Sequence, residues 1–430
     1  MQEVNASIIT IGDELLIGQT IDTNSAFISQ QLNSIGIWVK KRIAIGDVKK
    51  DILKTLEEQT KEADVIILTG GLGPTADDIT KPALCEYFNS HLIVNDEALE
   101  NVKRIFNRFN RPLTERNLKQ AEVPHNCIVL QNSRGTAPGM WFTFSNNNSE
   151  ALKSTNSRIY ISLPGVPYEM QGLMENVVLP ELKKQFRLPV IIHRTLVTIG
   201  LGESYVADKL QHLENKLPQH IKLAYLPAYG MVKLRLSGKG SDESVLNKEV
   251  ESFADEIKSL VTEWLIAERD MTLVEVVSDL LHKSSKSIAT AESCTGGYLA
   301  HLITSLPGAS KIYKGSAVSY ANEIKVKGLG VKASTLNHYG AVSEETVVEM
   351  VNGVLEKYDA DYAVATSGVM GPDGGTTEKP VGTVWIAVAS RNNVFASKQF
   401  AHLDRKRNIE LTGQIALNML RRFILEQELK

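Results

Sequence analysis

The stretch Asp64-Val65-Ile66-Ile67-Leu68-Thr69 runs directly into Gly70-Gly71-Leu72-Gly73-Pro74-Thr75-Ala76-Asp77-Asp78. The first part reads as a strand, and the glycines and proline behind it end that strand in a turn. Upstream, a strand from Ala6 to Ile11 breaks at Gly12-Asp13-Glu14-Leu15-Leu16, and Asp22-Thr23-Asn24-Ser25 then caps a helix through Ile35. Strands alternating with helices predict an α/β domain with a parallel, doubly wound sheet. Ligands of such sheets settle at the carboxyl ends of the strands, where both turns fall.

The composition of the second turn carries chemistry. Its glycines let backbone amides approach a phosphate, whereas Asp77 and Asp78 would repel that phosphate unless a divalent cation sat between them. A metal beside a phosphate loop is therefore expected, with Asp13 and Glu14 as further ligands or as helix caps. Next come Arg134-Gly135-Thr136-Ala137-Pro138-Gly139-Met140, a strand from Trp141 to Phe144, a polar stretch from Ser145 to Ser157 that reads as an exposed hairpin loop, and a returning strand from Arg158 to Leu163. In the following Pro164-Gly165-Val166-Pro167-Tyr168-Glu169-Met170, Glu169 is either catalytic or a helix cap, and spacing favours the cap.

From Leu179 to Ala267 the chain alternates strands (Ile191 to Ile199, Ile221 to Leu226, Met231 to Ser237) with a short helix after Gly200-Leu201-Gly202-Glu203-Ser204 and a helix from Asp242. This is a small α+β pattern without a catalytic cluster, expected to be a spacer or a dimerising segment.

The sharpest chemistry lies further on. Lys286-Ser287-Ile288-Ala289-Thr290-Ala291 reads as a short buried strand, Glu292-Ser293-Cys294-Thr295-Gly296-Gly297 as a turn, and Tyr298-Leu299-Ala300-His301-Leu302-Ile303 as the start of a helix. Ser293 thus sits where the amides of Cys294 to Gly297 can face the negative charge of a tetrahedral intermediate. A serine needs a base, and no histidine is an obvious local partner. Lys325, in Tyr320-Ala321-Asn322-Glu323-Ile324-Lys325, is the candidate. A lysine of ordinary pKa is neutral only about 0.04% of the time at pH 7, so Lys325 must be lowered to roughly 7–8 by desolvation or nearby dipoles. Tyr320 can orient it or relay its proton. Two other readings stand beside this one: Cys294 as the nucleophile, since a helix start favours thiolate, and Ser293 as a simple helix cap with Lys325 solvated.

A further strand, Asp361 to Thr366, opens into Ser367-Gly368-Val369-Met370-Gly371-Pro372-Asp373-Gly374-Gly375, and Val381 to Ala389 reads as the next. Amides and hydroxyls of this loop can cradle a phosphate or ribose, with Arg405 or Arg407 as charge partner. A final helix is expected from Asn408.

The 430 residues allow two to four domains. With a net charge of −3 and no dense run of lysine and arginine, broad nucleic-acid binding is not indicated. Cys85, Cys127 and Cys294 lack the spacing of a zinc site or a disulfide framework, and no secretory signal or membrane-length apolar stretch is present, so a soluble, cytoplasmic protein is expected.

Taken together and in this order, the motifs resemble the competence/damage-inducible protein CinA family over nearly the whole chain. The resemblance implies three domains: residues 1–178, a three-layer molybdopterin-binding-like domain; 179–267, a KH-like linker; and 268–430, an α/β nicotinamide mononucleotide deamidase domain. For the first it implies metal-dependent ADP-ribose pyrophosphatase activity, with Asp13, Asp77 and Asp78 at the metal and Asn24, Gly70, Gly71, Gly73, Thr75 and Glu169 at the substrate. For the third it implies Ser293, Tyr320 and Lys325 as catalytic residues, with Thr295, Gly296, Gly297, Thr366, Ser367, Gly368, Gly371 and Arg405 around the substrate. It also implies a homodimer and a bifunctional hydrolase of pyridine nucleotide recycling. Two alternatives remain in view: an N-terminal pterin-binding module without turnover, and a nucleic-acid-binding accessory of competence, which the mild acidity opposes.

Overall fold

A computed structural model describes residues 3–75, 77–110, 112–144, 158–228 and 230–428. The Ser145–Ser157 stretch lies outside the described residues. The N-terminal strands are β1 (Asn5–Ile11), β2 (Trp38–Ile45), β3 (Val65–Thr69), β4 (Leu92–Val94), β5 (Glu122–Pro124), β6 (Ile128–Leu130), β7 (Gly139–Phe144) and β8 (Arg158–Leu163). Six of them form one sheet in the order β2-β1-β3-β8-β7-β6, and β4 pairs with β5. The first four strands of the sheet are parallel, as the alternation of elements predicts. Its other edge is antiparallel, with Phe144 opposite Arg158, so the sheet is mixed and not wholly parallel. Residues 131–138, between β6 and β7, are too few for the crossover that a parallel pair needs.

Period-two alternation decides the layers. Ala6 and Ile8, Val65 and Ile67, and Ile159 and Ile161 meet Ile28 and Leu32 of helix Thr23–Ser34 and Met170 of helix Pro167–Leu173 on one face. Ile9, Ile66, Leu68 and Tyr160 meet Ile52 and Leu56 of helix Lys49–Thr60 and Leu84 of helix Thr80–Tyr87 on the other. The result is three layers with a strand core buried on both sides.

The middle region supplies β9 (Val190–Ile199), β10 (Ile221–Ala228), β11 (Met231–Gly240) and β12 (Leu265–Ala267), with helices Glu203–Glu214 and Glu243–Val261. Its sheet order, β10-β11-β9-β12, is that of a split βαβ arrangement. By packing, the chain divides into two compact units. One runs to His193 and takes in Pro218–Ile221 and Ser237–Glu251, and the other holds Arg194–Leu217, Lys222–Leu236 and all from Ser252 onward.

The C-terminal sheet consists of β13 (Ile288–Glu292), β14 (Tyr313–Val318), β15 (Tyr362–Gly368), β16 (Thr383–Ser390) and β17 (Val394–Phe400), in the order β14-β13-β15-β16-β17. Its first three strands are parallel and its last two return antiparallel. One face is large: Ile288, Val364, Ile386 and Val388 pack on helices Leu273–Ser284 and Arg405–Glu428, and Val197 and Met231 of the middle sheet join the same core. The other face is small. Ala289, Ala291, Ala363, Ala365, Ala387 and Ala389 all point at Val347, Met350, Val351 and Val354 of helix Glu344–Lys357.

Small residues let that helix lie close, and Gly353 extends the closeness to the next layer. A Cβ at Gly353 would overlap the Leu329 carbonyl at the end of helix Asn322–Leu329, which carries Lys325. Gly353→Ala should therefore destabilise the C-terminal unit by about 1–3 kcal/mol through overpacking, read as a lower midpoint in denaturant titration.

Candidate functional site

The carboxyl end of β13 delivers Ser293 into a tight turn, where its amide donates to the Thr366 carbonyl of β15 at 3.0 Å. Thirty-two residues later, Lys325 in the first turn of its helix reaches back. Its Nζ lies 3.0 Å from Ser293 Oγ and donates to the carbonyls of Ser319 at 2.8 Å and Tyr320 at 3.2 Å. Lys325 is only 1% exposed and faces no carboxylate among these contacts. Burial pulls its amine below the ordinary lysine value, with Cys294 acting weakly the other way. Desolvation disfavours the charged form, and two carbonyls partly compensate it. The sequence-expected pair is thus in hydrogen-bond contact in a nearly closed environment.

The turn amides are used differently from the sequence expectation. Glu292, wholly buried, folds its carboxylate over the helix start and accepts the amides of Gly297 at 3.0 Å, Leu299 at 3.0 Å and Ala300 at 2.9 Å. The Gly296 amide donates to the Ser293 carbonyl at 3.2 Å. Gly296 and Gly297 are therefore not the amides open to an anion. Both sit at positive φ, which the reversal of the chain requires. The amides of Cys294 and Thr295 donate to no protein acceptor among the described residues. Spacing does not single out Glu292, although a carboxylate ending a buried strand of small and apolar residues is the available signal.

Tyr320 also departs from its expected role. Its hydroxyl accepts from Arg405 Nη2 at 3.0 Å, so it touches the lysine through its carbonyl and not its phenol. Arg405 stands in the first turn of helix Arg405–Glu428, three residues before the expected start, and its Nη1 donates to the Gly371 carbonyl at 2.8 Å. Asn408, fully buried, anchors the same loop by donating to the Met370 carbonyl at 3.1 Å. Ser293, Lys325, Tyr320, Ser367, Gly368 and Arg405 share one cavity of ≈ 220 Å³, together with Asn322, Ala341, Val342 and Met370, which sequence reasoning did not find. Thr366 is not on its wall. The Thr366 hydroxyl is tied to that of Thr295 at 2.8 Å, and the Ser367 hydroxyl donates to the Ala341 carbonyl at 2.6 Å. Cys294 lines the cavity, yet burial pushes its thiol up to about 12 despite help from Thr366. At neutral pH it is a protonated thiol, a poor nucleophile beside Ser293.

In the N-terminal unit the glycine turn follows β3. Gly70 and Gly71 have positive φ, and a Cβ on either would strike the Ile11 carbonyl or the Thr80 hydroxyl. Asp78 is drawn into its own loop, accepting the amides of Gly73 at 2.7 Å and Thr75 at 2.8 Å and the Thr75 hydroxyl at 2.5 Å. Asp77 is left on the surface, where hydrogen bonding to Thr75 lowers its carboxyl. The Asp13 amide donates to Asp47 at 3.1 Å and the Asp47 amide returns to Asp13 at 3.2 Å. Burial raises the Asp47 carboxyl, and the charges of Asp13, Glu14 and Asp77 add to the rise. Among the described residues no three such side chains converge to hold a metal by themselves. Asn24 donates to the Gly165 carbonyl at 2.7 Å, while its buried Oδ1 has no partner among the described residues. Glu169 is neither exposed nor a cap: it accepts from Asn132 Nδ2 at 2.6 Å, burial raises its carboxyl, and its bulk occupies the space a side chain at Gly135 would need.

No helix among the described residues is long and apolar enough to cross a membrane, and all three cysteines are free. Family models match in sequence along the chain: "Probable molybdopterin binding domain" over residues 7–184, "Damage-inducible protein CinA KH domain" over 193–267 and "CinA C-terminal domain" over 270–424. A CinA-like protein of Cytophaga hutchinsonii is 46% identical over 98% of this chain and 99% of its own length, and one of Flavobacterium psychrophilum is 45% identical over 98% and 99%. The solved competence/damage inducible protein CihA from Agrobacterium tumefaciens is 37% identical, covering 35% of this chain and 92% of its own, with a TM-score of 0.34. The chain belongs to the CinA family, with a molybdopterin-binding-like N-terminal domain, a KH-like middle domain and a CinA C-terminal domain.

Proposed function

We propose that the C-terminal site is a serine–lysine amidohydrolase that deamidates nicotinamide mononucleotide. The observation that carries this reading is the 3.0 Å contact between Ser293 Oγ and a buried amine held by two carbonyls. A neutral Lys325 fits the site: its two N–H groups donate to Ser319 and Tyr320, and its lone pair accepts the Ser293 proton. Ser293 Oγ then attacks the carboxamide carbon, and the oxyanion meets the open amides of Cys294 and Thr295. The Lys325 ammonium returns the proton to the departing nitrogen, ammonia leaves, and water repeats the path on the acyl-enzyme to release nicotinate mononucleotide. Arg405 keeps further N–H groups after its two protein contacts and supplies the cation for the substrate phosphate. The choice of substrate rests on the family resemblance.

For the N-terminal turn we propose metal-dependent hydrolysis of ADP-ribose to AMP and ribose 5-phosphate. One or two of Asp13, Asp47 and Asp77 would serve a cation that completes its shell from substrate phosphates, and such an ion would lessen the repulsion that Asp13, Glu14 and Asp77 exert on Asp47. A divalent cation there would neutralise the pyrophosphate and activate the attacking water. The Asp78 carboxylate takes the amides of Gly73 and Thr75, so the amides of Gly71 and Leu72, which donate to no protein acceptor among the described residues, are the ones left for the phosphates, and the unpartnered Asn24 Oδ1 can accept a ribose hydroxyl.

Ser293→Ala and Lys325→Ala should each lower ammonia release from nicotinamide mononucleotide by at least about 1,000-fold, as loss of a nucleophile or its base does. Wild-type turnover in either variant overturns the assignment. A chelator should abolish AMP formation from ADP-ribose and leave ammonia release untouched, which a two-product assay on one sample reads directly. Lys325→Met should raise the unfolding temperature while removing turnover. Because the folded amine sits below its ordinary value of 10.5, the lysine weakens the fold most at low pH and ceases to do so once the unfolded chain also loses its proton. The gain in the variant should accordingly shrink as pH rises towards that value.

A further inference from the structure

Glu292 is the most deeply placed carboxylate next to the reacting serine, and the proposed reaction gives it no step. It is 0% exposed, and no lysine, arginine or histidine pairs with it among the described residues. Instead it accepts the amides of Gly297, Leu299 and Ala300 and the Thr295 hydroxyl at 2.8 Å, with the Thr290 and Ser316 hydroxyls further out at 3.4 Å. Burying a charge without a counter-charge is costly even when it is hydrogen-bonded, and a serine, threonine or asparagine would cap a helix at less cost. What a glutamate adds is reach: from the last position of β13 it spans the whole turn that carries Ser293.

Its backbone extends the same hold to the base. The Glu292 carbonyl accepts the Ser319 amide at 2.8 Å, and the Ser319 carbonyl is the closest oxygen on Lys325 Nζ, at 2.8 Å. One residue therefore fixes the nucleophile's turn by its side chain and the lysine's cradle by its main chain. The turn carrying the two open amides, Cys294 and Thr295, is closed by these same bonds.

We propose that Glu292 is the positioning residue of the serine–lysine pair, holding Ser293, Lys325 and the two open amides in one reactive geometry. This rests on the serine–lysine reading. Glu292 does not line the cavity, so its role acts on the reacting atoms and not on substrate binding.

The test uses full-length protein, wild type against Glu292→Gln and Glu292→Asp. Glutamine keeps the reach but turns one acceptor into a donor facing N–H groups; aspartate keeps the charge but draws it back by one methylene. Each variant should lose about 100-fold in kcat for ammonia release from nicotinamide mononucleotide, with KM within about threefold, as expected for misplacement by a fraction of an ångström to an ångström. A serine-directed fluorophosphonate, followed by mass spectrometry of the Ser293 peptide, separates positioning from folding. Positioning predicts a slowed labelling rate with an unchanged endpoint of one label per chain. A lower endpoint in which the labelled fraction reacts at the wild-type rate assigns Glu292 to fold stability alone and overturns the proposal, as do wild-type rates in both variants. If wild-type protein neither takes the label at Ser293 nor releases ammonia, the serine–lysine reading itself fails and this proposal falls with it.

Discussion

The C-terminal unit is organised around a lysine amine that has been taken out of water. Lys325 is among the largest fully buried side chains of the protein, and only carbonyl and hydroxyl oxygens meet its nitrogen. A paired carboxylate would hold it charged and useless as a base; dipoles alone leave it able to exchange a proton with Ser293. The surrounding architecture follows from keeping that amine dry. Helix Glu344–Lys357 lies close on the alanine face of β13, β15 and β16, and at Gly353 it accepts the end of helix Asn322–Leu329, which carries Lys325.

The same unit handles negative charge with comparable economy of means. A helix start ordinarily attracts anions. Here the chain supplies its own anion in Glu292, so most of the local donors are already engaged and only two amides beside Ser293 remain open. The N-terminal unit does something similar with Asp78, whose carboxylate closes the glycine loop, while the half-buried Asp47 stays beside the charges of Asp13, Glu14 and Asp77. In both units one acidic residue builds the turn; in the N-terminal unit others next to it remain available for chemistry.

Much of this was legible in the sequence because it depends on local patterns. Strand alternation gave β1, β3, β8, β13 and β15 to within a residue or two, and glycine placement marked both turns. The pairing of Ser293 with Lys325 was legible only as an expectation, since the two are 32 positions apart and the chain between them must fold before they meet. What could not be read was direction. The Tyr320 phenol turns to Arg405 instead of the lysine, the Thr366 hydroxyl turns to Thr295 instead of the cavity, and Glu169 turns inward to Asn132 instead of capping its helix. Each of these choices is made by tertiary packing between segments far apart in sequence. The parallel sheet that strand–helix alternation suggests for the N-terminal domain is mixed, with β7 antiparallel to β8, the pairing that the hairpin reading of residues 145–157 implies.

Cys294 has a consequence of its own. Peroxides and electrophiles attack thiolates, and an ionised sulfur beside Ser293 would be the first group to suffer oxidative chemistry. Enclosed by its neighbours and held as the thiol, this sulfur offers such reagents almost nothing to react with. The neighbouring hydroxyl and amine are themselves indifferent to mild oxidants, so the proposed serine–lysine chemistry does not depend on a group that such reagents modify.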